Sequence, residues 1–302
     1  MRVTERMMMD NAIRNMAANK EKLHELQNRV ASGKLFEHAS DSPSRASLSM
    51  NVRSTLEIND SYYTTAKTSH EWVTATENAF GQMMDAADKA VALATKGINE
   101  TFGPKERQQM AIELDGLIKS SIEIGNTSHM GQFVFGGHQI QDKPFAIGQA
   151  DIDGDGTLED VINFSGDNGE MRRDISPGHT ITINTNGDTA FRDFMESMIE
   201  ARDALIANDT EALEDSLGNL QASYDQMNQY RATNAARQRQ LETTMNNLEK
   251  TKLELNAVLN KNEDADMIEA ISLMRNQETA FQTVLEVGQR AISALNLFEV
   301  LR

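Results

Sequence analysis

The sequence predicts a mainly α-helical protein with one β-rich insertion near the middle of the chain. Apolar residues recur at spacings of three and four over long stretches on both sides of that middle, which is typical of long amphipathic helices. Only 4 of the 302 residues are proline, so few positions would interrupt such helices. Residues 131–189 are instead rich in Gly, Asp and Asn and contain short alternating runs, which indicates strands joined by turns.

Two prolines mark the expected starts of the helices that precede the insertion. Pro43 and Pro104 each stand directly ahead of a periodic stretch, and proline is favoured at the first position of a helix because its missing N–H would have no partner there. We therefore expect one helix from about Ser44 to Lys96 and a second from Pro104 to about Ile124.

A single long helix is expected after the insertion. Its apolar spacing of four and three begins at Leu213 and returns in the same phase as far as Leu259. The apolar face is interrupted by polar residues between Arg231 and Gln238. We expect that part of the helix to face small or solvated neighbours.

The insertion and the two chain ends divide the sequence into three predicted parts. Short runs such as "FVF", "VINF" and "TITINT" are expected to be strands of a small all-β outer domain. The helical segments on either side of it would pack together as one central bundle. The predicted parts are coiled-coil-prone terminal segments at 1–40 and 265–302, a central helical domain at 41–130 and 190–264, and the outer domain at 131–189.

Both chain ends carry an apolar face that a single helix cannot bury. At the C-terminus two apolar rows lie side by side, which makes a face too wide to leave in water. Because burial of each large apolar side chain stabilises by roughly 1.5–3 kcal/mol, and because isolated helices are marginal, we expect the ends to be disordered in the monomer and to order on assembly. The alternative is an ordinary intramolecular pair of terminal helices. The predicted assembly interface comprises Ile13, Met16, Leu23, Leu26, Val30, Val284, Val287, Ala291, Ile292, Leu295, Phe298 and Leu301.

Charge and composition exclude several classes of function. The formal net charge is -17, and residues 141–215 hold 18 acidic against 5 basic residues, so a nucleic-acid backbone is not an expected partner. The N-terminal residues lack the apolar core of a secretory signal, and no stretch of about 18 apolar residues could cross a membrane. With no cysteine, the chain has neither a disulfide framework nor a thiolate metal site.

The stretch "DIDGDGTLEDVI" is the one segment that resembles a ligand-binding motif. Asp151, Asp153 and Asp155 match the opening of an EF-hand calcium loop, but Ile162 stands where the bidentate Glu should be. We interpret the stretch as an Asp-rich turn, with a weak calcium site as the alternative. The six histidines are not paired at helical spacing, and no phosphate loop or nucleophile motif occurs. No catalytic residue, metal site or cofactor is therefore predicted.

Several stretches resemble the flagellin superfamily and, within it, the family of hook-filament junction proteins. The opening "MRVTERMM" resembles that family's start, and in "NRVASGKLFEHASDSPSRAS" the residues Asp41, Ser42 and Pro43 match its Asp-Asp-Pro. The stretches "GQFVFGGHQIQDKPF" and "FSGDNGEMRRDISPGHTITINTNGDTAF" resemble the family's entry to and exit from the outer domain, and "ALNLFEVLR" resembles its C-terminus. "LFEHAS" and the acidic "DIDGDGTLED" depart from the family pattern.

The resemblance implies a flagellin-like bundle and a structural role without catalysis. A protein of this family would be exported by the flagellar type III route without a cleaved signal peptide. It would then join hook-associated protein 1 to flagellin in the extracellular flagellum. Its other partners would be further copies of itself, in a ring at the junction, and a flagellar export chaperone. The alternatives are a flagellin filament subunit and, from another class, a calcium-dependent binding module.

Overall fold

The computed structural model describes residues 2–151 and 158–300, which form two compact units. Unit 1 comprises Met1–Ile58 and Thr251–Arg302, and unit 2 comprises Asn59–Lys250. The predicted fold class, mainly helical with a small β insertion, is confirmed. The helices are α1 (Arg2–Ser32), α2 (Pro43–Ile98), α3 (Pro104–Gly125), α4 (Asp193–Ala207), α5 (Thr210–Glu263) and α6 (Met267–Val300). The strands are β1 (Ser128–His129), β2 (Gln132–Phe133), β3 (Phe145–Ala150), β4 (Glu159–Phe164), β5 (Arg172–Ser176) and β6 (His179–Thr182).

The central helices begin where their sequence signals place them. Helix α2 begins at Pro43 and α3 begins at Pro104, as predicted. At the start of α3, Glu106 accepts a hydrogen bond from the backbone N–H of Gly103 at 3.1 Å. Before α5, the Asp209 carboxylate accepts bonds from the N–H groups of the second and third residues that follow it, at 3.0 and 3.1 Å. These side chains satisfy donors that the first turn of a helix leaves unpaired.

The core of unit 2 is built around three phenylalanines from three separate parts of the chain. Phe80 lies on α2, Phe135 follows β2, and Phe191 lies in a π-helical turn (Asp188–Arg192) ahead of α4. Their ring centroids are 4.7–5.9 Å apart, and all three side chains are fully buried. The insertion is thereby packed onto the helices of unit 2, since Phe135 reaches both Phe80 and Phe191.

The polar interruption of α5 is partly exposed to solvent, as expected, but its Asn234 side faces α2. Asn234 is fully buried and donates a hydrogen bond to the Val73 carbonyl at 3.1 Å. Arg231 pairs with Glu77 at 2.7 Å. The neighbour is α2, which offers a carbonyl oxygen and a carboxylate at this level, so polar side chains satisfy the contact where apolar ones would not.

Each sheet of the insertion is an antiparallel pair of strands. β1 pairs with β2, β3 pairs with β4, and β5 pairs with β6. The predicted run "VINF" lies within β4, where Phe164 stands opposite Phe145 in the register. The run "TITINT" is only partly extended, since β6 ends at Thr182. Of "FVF", only Phe133 belongs to a strand, and Val134 and Phe135 are buried core residues that follow it.

Three glycine-rich loops meet at the base of the insertion. The Asp167 carboxylate accepts hydrogen bonds from the N–H groups of His138 and Gly169 at 2.7 and 2.8 Å. Asn186 donates to the Asp167 carbonyl at 2.7 Å. Gly137 has a φ of +70° and lies against Asp167, where a Cβ atom would collide. The loops from "FVFGG", "FSGDNG" and "NTNGD" thus fix one another, although they are far apart in the sequence.

Candidate assembly site

In unit 1, α1 and α6 pack against each other in antiparallel directions along one row of residues from each helix. Each row follows spacings of three and four, and all its members are buried or half-buried, as expected for a coiled-coil contact. We call these two rows the terminal seam. They comprise Ala12, Met16, Asn19, Leu23, Leu26 and Val30 on α1, and Ala270, Met274, Gln277, Phe281, Val284 and Gly288 on α6.

The structure places some of the predicted interface residues in the terminal seam and leaves others beside it. Met16, Leu23, Leu26, Val30 and Val284 belong to the seam. Ile13 and Val287 are 54% and 61% exposed. Four other predicted residues lie in the last part of α6, where the structure describes only the path of the helix: Ala291, Ile292, Leu295 and Phe298. Leu301 lies outside the described residues.

The two helices approach each other closely where Met16, midway along α1, meets Gly288 of α6. The Met16 methyl group occupies the space that a Cβ atom on Gly288 would need, so any larger residue at 288 would displace it. Beside this contact is a cavity of about 220 Å³, lined by Ala12, Asn15, Thr283, Val284, Val287 and Gly288. The absence of a side chain at 288 therefore permits the close approach.

One polar pair interrupts the terminal seam, and the sequence analysis missed it. Gln277 donates a hydrogen bond to the Asn19 side-chain oxygen at 2.9 Å, and both residues are half-buried. The available signal was spacing, because Asn19 falls three residues after Met16 and four before Leu23. A paired amide of this kind costs little when both partners are present, and leaves a buried group unsatisfied when one is removed.

The apolar face of α6 is wider than the strip that α1 covers. Leu285 and Val287 lie on opposite sides of the seam and are 40% and 61% exposed. More broadly, 13 of the 18 exposed large hydrophobic side chains in the described residues belong to unit 1. The contacts within unit 1 therefore leave many of its large apolar side chains exposed.

The Asp-Ser-Pro segment shapes the turn between α1 and α2. The Asp41 carboxylate accepts hydrogen bonds from the backbone N–H groups of His38 and Glu37 at 2.9 and 3.3 Å. The bond from His38, with smaller help from Ser40 and Glu37, holds the pKa of Asp41 below its usual value. Asp41 therefore closes the turn two residues before α2 begins at Pro43.

The calcium alternative cannot be placed on this structure, because Asp153 and Asp155 lie outside the described residues. Within residues 2–151 and 158–300, no three His, Cys, Asp or Glu side chains are arranged to hold a metal ion. Over that same part of the chain, no helix is long and apolar enough to cross a membrane.

Comparison with known proteins gives consistent matches. Residues 3–139 match the bacterial flagellin N-terminal helical region. Flagellar hook-associated protein 3 of Escherichia coli (strain K12) is 22% identical in an alignment of 276 residues that covers 89% of this chain and 83% of that protein.

Solved structures share the fold. FlgL from Bacillus cereus superposes with a TM-score of 0.60 at 20% identity, covering 70% of this chain and 99% of that one. A putative flagellar hook-associated protein from Vibrio parahaemolyticus gives a TM-score of 0.65 at 13% identity, covering 74% of this chain and 100% of that one. The flagellar junction protein FlgL from Legionella pneumophila gives 0.57 at 9% identity, covering 73% and 100%.

The long paired helices and the small β insertion are those of these solved structures, and the N-terminal part of the chain is similar to the flagellin helical region. Over most of its length the chain resembles flagellar hook-associated protein 3. The resemblance that the sequence motifs indicated is thus confirmed.

Proposed function

We propose that this chain is a structural adaptor of the bacterial flagellum, which joins hook-associated protein 1 at the end of the hook to the flagellin filament. It assembles helically through α1 and α6, with further copies of itself as neighbours in a ring. It acts outside the cell without catalysing a reaction. Before that, it leaves by the flagellar export route, with a chaperone on its C-terminal segment.

The observation that carries this proposal is the exposed apolar surface beside the terminal seam. Ile13, Leu285 and Val287 are 40–61% exposed on helices that already contact each other. Because covering a large apolar side chain stabilises by roughly 1.5–3 kcal/mol, neighbouring subunits that cover these residues would gain several kcal/mol per chain. Such a surface is suited to an interface that repeats along a helical array, since every copy would present the same exposed apolar residues to the next copy.

The resemblance to hook-associated protein 3 supports the position at the junction. The E. coli protein is a flagellar hook-associated protein, and the L. pneumophila protein is a flagellar junction protein. The same position would make flagellin and hook-associated protein 1 its two structural partners.

A gene deletion in the source bacterium tests the proposal. Loss of a junction adaptor is expected to leave hooks without filaments and to release intact flagellin into the medium. Complementation with the full chain should restore filaments, and complementation with a chain truncated after Gly288 should not. Hooks with normal filaments in the deletion strain would refute the proposal.

The same experiment separates the flagellin alternative. If the chain is the filament subunit, the deletion strain should lack filaments and should also lack shed flagellin. An immunoblot of the medium against the remaining flagellins decides between the two outcomes.

A further inference from the structure

Glu263, the last residue of α5, is a charged residue that is almost completely buried. It is 7% exposed and lies where α5 gives way to α6. A carboxylate is costly to remove from water unless it is paired and hydrogen-bonded. Its partners therefore indicate what the buried charge does in unit 1.

The partners of Glu263 come from two other segments of the chain. Arg53 on α2 approaches both of its carboxylate oxygens through one nitrogen, at 2.8 and 2.9 Å. Lys34, in the connection between α1 and α2, lies 3.3 Å from it and also 2.7 Å from Asp264. A single carboxylate thus links α2, the end of α5 and the segment that leads out of α1.

Backbone hydrogen bonds join the same two connections. The N–H of Leu35 donates to the Glu263 carbonyl at 2.6 Å, and the N–H of Ala265 donates to the Gly33 carbonyl at 2.9 Å. Lys34 and Asp264 form an isolated antiparallel bridge between these bonds. We call residues 33–35, Arg53 and 263–265 the junction clasp.

A second polar contact lies directly beside the junction clasp. The Asn262 side chain donates to the Arg45 carbonyl and to the Ser49 hydroxyl, both at 2.8 Å. The Arg45 guanidinium in turn donates to the Asn262 carbonyl at 3.2 Å. The end of α5 is therefore fixed to the first turns of α2 on the side where Glu263 meets Arg53.

The clasp joins the connection that follows the end of α1 to the connection that precedes the start of α6. α1 ends at Ser32, immediately before the clasp, and α6 begins at Met267, shortly after it. We propose that Glu263 is a positioning residue that holds the base of α1 next to the base of α6. The end of α1 and the start of α6 then stay close together at the clasp, whether or not the rest of these two helices is paired. This inference does not depend on the protein's position in the flagellum.

Distance measurement between two spin labels tests the clasp directly. The chain has no cysteine, so Ala31→Cys and Ile268→Cys, both at exposed positions, place one label at the base of each terminal helix. The full-length doubly labelled protein should give one narrow distance distribution. Glu263→Ala should replace it with a broad distribution that extends to longer distances.

Matched variants separate positioning from general stability. Glu57→Ala removes an exposed carboxylate one helical turn beyond Arg53 and should leave the distribution narrow. Arg53→Met should broaden it as Glu263→Ala does, because it leaves the same carboxylate without its main partner. Glu263→Gln keeps the hydrogen-bond acceptor but loses the charge, and should give an intermediate width. A narrow distribution in both Glu263→Ala and Arg53→Met would overturn the proposal.

The fluorescence of Trp72, the chain's single tryptophan, controls for folding. Trp72 is buried in unit 2, so its unfolding midpoint should be the same in all these variants. If Glu263→Ala shifts that midpoint, the distance distributions of Glu263→Gln and Arg53→Met are used instead to test whether Glu263 positions the two helices. Narrow distances in both of them would then refute the positioning role.

Discussion

The two units of this chain use their apolar residues in opposite ways. Among the residues whose burial the structure describes, unit 2 holds 36 of the 40 buried hydrophobic residues, whereas unit 1 holds 4 of them and most of the exposed ones. Unit 2 is therefore stabilised by its own core, as an independent domain is. Unit 1 packs its terminal helices along a narrow seam and leaves large apolar side chains exposed beside it.

The largest expected difference between the units is in amide exchange. In the purified monomer, the parts of the two terminal segments that lie beyond the junction clasp should exchange rapidly, while the core helices of unit 2 should be protected by a factor of about 10³ or more. On assembly the terminal segments should become protected as well. Exchange measured by mass spectrometry on both forms provides the comparison. Strong protection of the ends in the monomer would show that α1 and α6 are an ordinary stable pair.

A core substitution tests the stability of unit 2. Phe191→Ala removes a fully buried ring that contacts Phe80 and Phe135, and should lower the free energy of unfolding by about 3–5 kcal/mol. Urea unfolding followed through Trp72 measures it. An exposed control, Ile13→Ala, should change the same quantity by less than about 0.5 kcal/mol. Similar effects of the two substitutions would contradict the division between the units.

The amide pair of the terminal seam gives a smaller effect with a specific sign pattern. Gln277→Leu leaves the Asn19 side-chain oxygen without its donor, while the Asn19 side-chain nitrogen keeps its bond to the Asn15 carbonyl. The variant should weaken the assembled terminal pair by about 1–3 kcal/mol. The double variant Asn19→Leu with Gln277→Leu removes both polar groups and should recover that loss. Denaturant-induced dissociation of the assembled protein measures each variant. If the assembled pair is less stable in the double variant than in Gln277→Leu alone, the unpaired polar group is not the cause of the loss.

Acid should loosen the junction clasp. Burial alone would raise the pKa of Glu263, but hydrogen bonds from Arg53, Ser49 and Lys34 outweigh it and hold that pKa below its usual value. The carboxylate therefore contributes stability above the usual glutamate pKa of about 4.3, and this contribution is lost as the pH falls through the lowered value.

The label distances at Ala31→Cys and Ile268→Cys check this pH dependence. They should stay narrow from pH 7 to about pH 5 and broaden only in stronger acid. Glu263→Gln should remove the part of the pH dependence that comes from Glu263, because the glutamine side chain does not titrate. Broadening at neutral pH would contradict the sign of the shift.

Much of the candidate site could be predicted from spacing. The rows that contain Leu23, Leu26 and Val284 are visible as a repeat of three and four, since a helix brings such residues onto one side. The sequence could not reveal which strip of the wide C-terminal face α1 would cover, because two adjacent rows were available. Leu285 and Val287 belong to different rows and both remain exposed.

The sequence by itself determined the fold class, the helix starts at Pro43 and Pro104, and the resemblance to hook-associated protein 3. These depend on local periodicity, on proline geometry and on short motifs, which are properties of neighbouring residues. Only the tertiary structure revealed the pairing of Asn19 with Gln277 and of Glu263 with Arg53 and Lys34. Polar residues carry no periodic signal of their partners, and the segments that satisfy these groups are about 200 residues or more away along the chain.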